Sequence, residues 1–336
     1  MSMKKQVLYL LTGILLCIMW ISKIVNMSED LFFPGIKKIS SEQMIQTTAI
    51  VEDSLTSEMI LLAQENDEVI VEEVEETIPV YKMELNMDKL SDYNYLRSTF
   101  YTVDSSTTIG KDQLNIDDLL MLDTKIDTTN NGPKVLIFHT HSQEAFADSV
   151  SGDPNTTIMG VGAYLAKLLN EKEIPTIHHT GVYDLIDGKL DRSKAYQHAV
   201  KNVEQILNEN PSIEVVIDLH RDGIPENKKL VTNVNGKPTA KIMYFNGLSR
   251  TKSNGDISYL QNPYIKENLS FSFQMQLATE NMYPGFARKI YLKAYRYSLH
   301  MMPKSLLIEA GAQNNTIEEM KNAMELLANV LEEVLL

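Results

Sequence analysis

Residues 134–144 read KVLIFHTHSQE. Val135 to Phe138 make an apolar run too short for a helix and built from residue types that suit a buried strand. It ends abruptly in a polar stretch carrying His139, His141 and Glu144. The same pattern returns twice. VVIDLH at 215–220 ends in Asp218 and His220, and SLLIEAG at 305–311 places Glu309 inside an apolar run.

Outward from these three stretches, strands are expected over 134–140, 175–179, 213–220, 240–246 and 304–310. Amphipathic helices are expected over 160–170, 192–208, 263–282 and 316–335. Strand-length runs alternating with helix-length segments predict an α/β domain with a largely parallel sheet flanked by helices.

In such a sheet, reactive groups gather beyond the carboxyl ends of the parallel strands, where the loops converge on a crevice. Two neutral imidazoles and a carboxylate suit zinc, which takes three protein ligands in hydrolytic sites and keeps a fourth position open. The expected ligands are His141, Glu144 and His220. Glu309, an acid inside an apolar run, is costly there unless it faces a polar site. It is placed to accept a proton from water and return it to a leaving amine.

The chain has 336 residues, 43% of them apolar, enough for one or two domains with an ordinary core. Its 31 basic and 45 acidic residues give a formal charge of −14, which repels nucleic acid. The single cysteine, Cys17, excludes an intramolecular disulfide and any multi-thiolate metal site.

Residues 1–5 include Lys4 and Lys5, and 6–26 are mostly apolar, long enough to span a bilayer as a helix. The expectation is a cytoplasmic tail, a retained membrane anchor over 6–26, and everything after it outside the cytoplasm. No small-residue cleavage signature follows closely, which disfavours a removed signal peptide. Residues 27–130 begin with an acid-rich stretch and are expected to form an extracytoplasmic linker and membrane-proximal region, with the catalytic domain over 131–336.

Taken in order, VLIFHTHSQEAF (135–146), GVYDLIDGKLDRSKAY (181–196), VVIDLHRDG (215–223), KIMYFNG (241–247), RKIYLKAYRYSL (288–299) and PKSLLIEAGAQNNT (303–316) resemble the stage II sporulation protein P family of endospore-forming bacteria. The resemblance runs from about residue 134 to the last residue. It implies a zinc-dependent N-acetylmuramoyl-L-alanine amidase, often with an added endopeptidase activity on peptidoglycan cross-links. Such an enzyme works between mother cell and forespore during engulfment, in partnership with stage II sporulation proteins D and M. The family's THxxE pattern falls on Thr140, His141 and Glu144, its DLHRD pattern on His220, and its LIExG pattern on Glu309.

Several residues stay open at this stage. His139 and His141 would share a face if the strand ran through both, so either is a possible ligand; His141 lies past the strand end and matches the family position. His178 and His179 end another strand near the crevice and are expected to support the site or the fold. Arg221 and Asp222 either orient the ligands, hold a substrate carboxylate or pair with each other. Arg192 and Ser193 open a helix, and the resemblance points Arg192 toward a substrate groove. The basic and aromatic run Arg288, Lys289, Tyr291, Lys293, Tyr295, Arg296 and Tyr297 suits acidic stem peptides or sugar rings, or one face of an amphipathic helix. The segment 257–285 has a helix-like pattern and is expected to pack as an ordinary helix, with a lid or groove wall as the other reading.

The main alternative is a peptidoglycan-binding module of the same fold that does not cut; all four site residues being present argues against it. A serine hydrolase lacks its G-x-S-x-G elbow, and a nucleotide-binding domain lacks its glycine-rich loop after the first strand.

Overall fold

A computed structural model describes residues 87–336; the apolar run 6–26 and the acidic stretch up to residue 86 lie outside the described residues. Among the described residues no helix is long and apolar enough to cross a membrane.

Seven strands make one sheet. In chain order they are β1 (Tyr101–Val103), β2 (Val135–Phe138), β3 (Thr176–His178), β4 (Val215–Asp222), β5 (Ile242–Gly247), β6 (Ala287–Lys293) and β7 (Ser305–Ala312). Across the sheet the order is β1-β6-β5-β7-β4-β2-β3. Every neighbouring pair is parallel except β5 with β7. The carboxyl ends of β3, β2, β4 and β7 therefore share an edge with the amino ends of β5, β6 and β1. The five expected strands are all present, with ends moved by one or two residues, which is the usual uncertainty of element boundaries.

Six longer helices accompany the sheet: α1 (Tyr93–Phe100), α2 (Ile116–Met121), α3 (Ile158–Glu171), α4 (Ala195–Glu209), α5 (Ile265–Met282) and α6 (Ile317–Leu335). Their starts follow local chemistry. Asp92 accepts from Tyr95 N, Thr157 from Met159 N, and Thr316 with Glu319 forms a reciprocal capping box.

Alternation along the strands sorts the core into two layers. Val135, Ile137, Val215, Ile217, Leu219, Leu306 and Ile308 pack with α3, α5 and α6. Leu136, Phe138 and Val216 pack on the other face with Ala195, Ala199 and Val203 of α4. Asp218 and His220 continue the series of Val216, and Glu309 continues that of Leu307, so these three belong to the α4 face.

Two expectations change. The folded unit begins well before residue 131: Leu90, Leu96, Phe100, Ile109, Leu114, Ile116 and Leu119 are buried in the larger core cluster, and β1 pairs with β6 at the edge of the sheet. The stretch 287–293 is a strand and not a helix face. Ala287, Ile290 and Leu292 are buried while their neighbours are more exposed, and a register shift between Arg288 and Tyr291 absorbs the one irregular step.

Candidate metal centre

β2 stops at Phe138, and the alternation carries on through His139, on the face of Val135 and Ile137, before it is lost. His139 turns toward α3, where Nδ1 lies 2.7 Å from Leu219 O and Nε2 lies 2.9 Å from His178 Nε2. Only a glycine fits opposite: a Cβ on Gly162 would stand 2.4 Å from His139 Nε2. Burial pushes the His139 imidazole down to about 3 and that of His178 down to about 4, so both are neutral. His141 takes the other side. Its ring meets that of His220 edge-on at 4.9 Å and that of Tyr196 at 5.5 Å. The expectation that residues 139 and 141 share a face required a strand through both, and the structure has none there.

His141, Glu144 and His220 each offer one ligand atom, and these atoms all lie within 4.8 Å of one another. His141 Nδ1 is 3.3 Å from Glu144 Oε1, and His220 Nδ1 is 3.7 Å from Glu144 Oε2. Tetrahedral zinc bonded at about 2.1 Å separates its donors by about 3.4 Å, so the three residues fit that ion in donor type and spacing. Glu144 is 3% exposed. Burial pushes its carboxyl up, but the two imidazoles outweigh that and hold it far below the usual carboxylate range. Burial likewise pushes the His141 imidazole down, whereas for His220 the neighbouring Asp218 and Glu144 overcome burial and raise it well above its ordinary value.

Glu309 stands directly beside His220 in the β7–β4 ladder. Its Oε2 is buried and has no hydrogen-bond partner, and burial pushes the carboxyl up to about 8. An orphaned, proton-holding carboxyl next to such a trio of donors is unusual for a structural residue. Tyr196, at the start of α4, lies nearly parallel to the His220 ring at 6.4 Å and closes that side.

The surrounding residues hold this arrangement. Arg221 N donates to Glu144 Oε2 at 2.8 Å, and the Arg221 side chain donates to Ala145 O and Asp222 O. Arg221 and Asp222 do not pair through their side chains; the Asp222 carboxylate instead takes Arg288 at 2.6 Å, brought to this edge by the reversed direction of β6. Arg192 is exposed, 3.7 Å from Glu144 Oε1 and 4.0 Å from Asp184 Oδ2, and it precedes the helix without capping it. His179 is bonded to the Tyr183 hydroxyl and is not part of the donor group.

Asp184 was not singled out from the sequence. Fully buried, it accepts from Ser142 N at 3.2 Å, Ser142 Oγ at 2.7 Å and Gln143 N at 3.2 Å, bracing the turn between His141 and Glu144. The basic and aromatic run is spent mostly on joining layers: Lys289 donates to Ser98 O, Tyr291 to Asp104, and Arg296 to Gln261 O.

A family model described as stage II sporulation protein P matches residues 29–332. Stage II sporulation protein P of Bacillus subtilis (strain 168) is 24% identical over 222 residues, which are 62% of this chain and 52% of that protein. The chain thus spans about half the length of the curated relative it matches. Among solved structures, the CwlD amidase from Clostridioides difficile in complex with the GerS lipoprotein aligns at 15% identity over 59% of this chain and 94% of that one, with a TM-score of 0.37. The N-acetylmuramoyl-L-alanine amidase AmiC2 of Nostoc punctiforme aligns at 12% identity over 61% and 98%, with a TM-score of 0.36. At such scores the likeness decides nothing about this chain's chemistry.

Proposed function

The chain belongs to the stage II sporulation protein P family, and we propose that it is a zinc-dependent peptidoglycan amidase, cutting the bond between N-acetylmuramic acid and the stem peptide during sporulation. The observation that carries this reading is the convergence of His141, Glu144 and His220 on one point, with the unpartnered Glu309 alongside.

Zinc held by these three residues would polarise the amide carbonyl and lower the pKa of water from about 16 to about 7. The chain's own groups do the rest. In its ionised form, Glu309 Oε2 accepts a proton from the attacking water and delivers it to the amide nitrogen as the C–N bond breaks; a carboxyl whose pKa lies near the working pH can both take the proton and give it up. Arg221 N and the Asp184-braced turn keep Glu144 aimed inward. Arg192, exposed beside Glu144, offers a guanidinium to acidic groups of the stem peptide.

The same proposal extends to an endopeptidase activity on cross-links and to partnership with stage II sporulation proteins D and M. It also includes an anchor over residues 6–26, which places the catalytic domain between mother cell and forespore. The sequence pattern and family membership support these parts.

The test is digestion of purified sacculi by the stripped protein, with and without added zinc, followed by mass spectrometry. Free stem peptides beginning with L-alanine, appearing only when zinc is restored, are the expected outcome. Binding of sacculi without any release by the zinc-loaded protein would leave a non-cutting binder instead.

A further inference from the structure

We propose that Asp218 is a positioning residue for the metal centre: its buried carboxylate, set against the Nε2 side of the His220 ring, holds that ring so that Nδ1 faces Glu144. The inference rests on the metal reading above.

Asp218 lies two residues before His220 on β4, so both side chains stand on the α4 face and the imidazole lies against the carboxylate. Asp218 Oδ1 is 2.7 Å from His220 Nε2, a close ion contact set off the axis of the ring N–H, and it also accepts from Thr140 N at 2.9 Å. Asp218 Oδ2 accepts from Thr140 Oγ1 and from Ser298 Oγ, each at 2.7 Å. Both oxygens are therefore in use, and the residue is 1% exposed. Among the described residues no lysine or arginine pairs with it. A buried carboxylate without a lysine or arginine partner is expensive to keep. Its three donors come from two segments, and both build the site: Thr140 precedes His141, and Ser298 follows Tyr297, whose ring meets that of Tyr196 at 5.3 Å.

A carboxylate set against a ligating imidazole fixes the ring's orientation and so the aim of its other nitrogen. Losing such a partner typically costs 10–100-fold in metal affinity. A purely architectural Asp218 would behave differently: its loss would lower the melting temperature of the stripped protein and leave zinc affinity where it was.

Asp218→Asn separates the two roles. An asparagine oxygen can still face Thr140 N and His220, and its NH2 can donate to the two hydroxyls, so the scaffold is kept and the charge is lost. The full chain is stripped with a chelator, and its zinc affinity is measured by competition with a chromophoric chelator, alongside melting of the stripped proteins. Asp218→Asn is expected to bind zinc about tenfold more weakly, Asp218→Ala up to about 100-fold, and Ser298→Ala within about twofold of the parent. Where Asp218→Ala does not fold, Asp218→Asn decides. Zinc affinity in Asp218→Asn within twofold of the parent overturns the inference, and so does an equal loss in Ser298→Ala. A parent protein that takes up no zinc overturns the metal reading itself, and this inference with it.

Discussion

Replacing Glu309 by glutamine is expected to make the metal-free protein more stable and the loaded protein almost inactive. The carboxyl titrates from an ordinary value of 4.5 up to about 8 because burial disfavours its charged form. At pH 7 the unfolded chain carries it ionised and the folded chain carries it protonated. The 2.5 pH units between 4.5 and 7 correspond to about 3 kcal/mol against folding, or about 1–3 kcal/mol once the solvent reaching this partly accessible residue is allowed for. This cost is absent below pH 4.5, grows as pH rises, and levels off above about 8. Glutamine never ionises, so the gain of Glu309→Gln over the parent follows the same curve. Near pH 7 it corresponds to about 3–10 °C in melting temperature for a domain of this size. Loss of a group that carries the proton lowers turnover by about 10²–10⁴-fold. Melting of chelator-treated protein from pH 4.5 to 8.5, with release of stem peptides measured beside it, checks both limbs. A variant less stable than the parent at pH 7–8, or one that cuts sacculi at more than about a tenth of the parent's rate, refutes the reasoning.

Gly162→Ala should destabilise despite alanine's better helix propensity: about 1 kcal/mol is gained from propensity, but a Cβ 2.4 Å from His139 Nε2 costs about 1–3 kcal/mol in overpacking and strains the His139–His178 contact, a net loss readable as a lower urea midpoint. Glu144→Gln removes the one carboxylate among the three donors, and zinc retained through gel filtration, read by elemental analysis, should fall below about a tenth of an equivalent per chain. A chain starting at residue 131 should not fold cooperatively by circular dichroism, because losing Phe100 alone costs about 3–5 kcal/mol and eight more side chains of the same core cluster go with it, against a total stability of about 5–15 kcal/mol. Burial holds the His300 imidazole down at about 4 in the folded chain, so stability drains away as pH falls from 6.5 toward 4; His300→Phe should flatten that acid limb in urea titrations.

The parts of the molecule legible in the sequence are those where one run carries both signals, burial and chemistry. β2, β4 and β7 are continuous apolar stretches because both faces of a central strand are covered, and their polar interruptions stand out for that reason. β6 hides because it is half-covered and irregular: ARKIYLK sets Arg288 and Lys289 side by side before Ile290, Tyr291 and Leu292, a mixture without a strict period of two that a helix face can imitate over seven positions. The segment 87–130 hides because its helices are short and separated by polar turns, so no window is long enough to show a period. Asp184 left no local mark at all. Its work is a set of hydrogen bonds to residues about 40 positions away, and only the folded chain brings them together.

The position of β7 sets a timetable. It is the last strand to be made, yet it sits between β4 and β5 in the middle of the sheet and brings Glu309 with it. While the ribosome is still extending the chain, β4 and β5 are complete, but their shared neighbour has not been synthesised. The sheet closes only by admitting a late central strand, a long-range pairing of the kind that folds slowly. Until then, Glu309 is missing from every growing chain, so the candidate metal centre is completed only when that late strand joins the sheet.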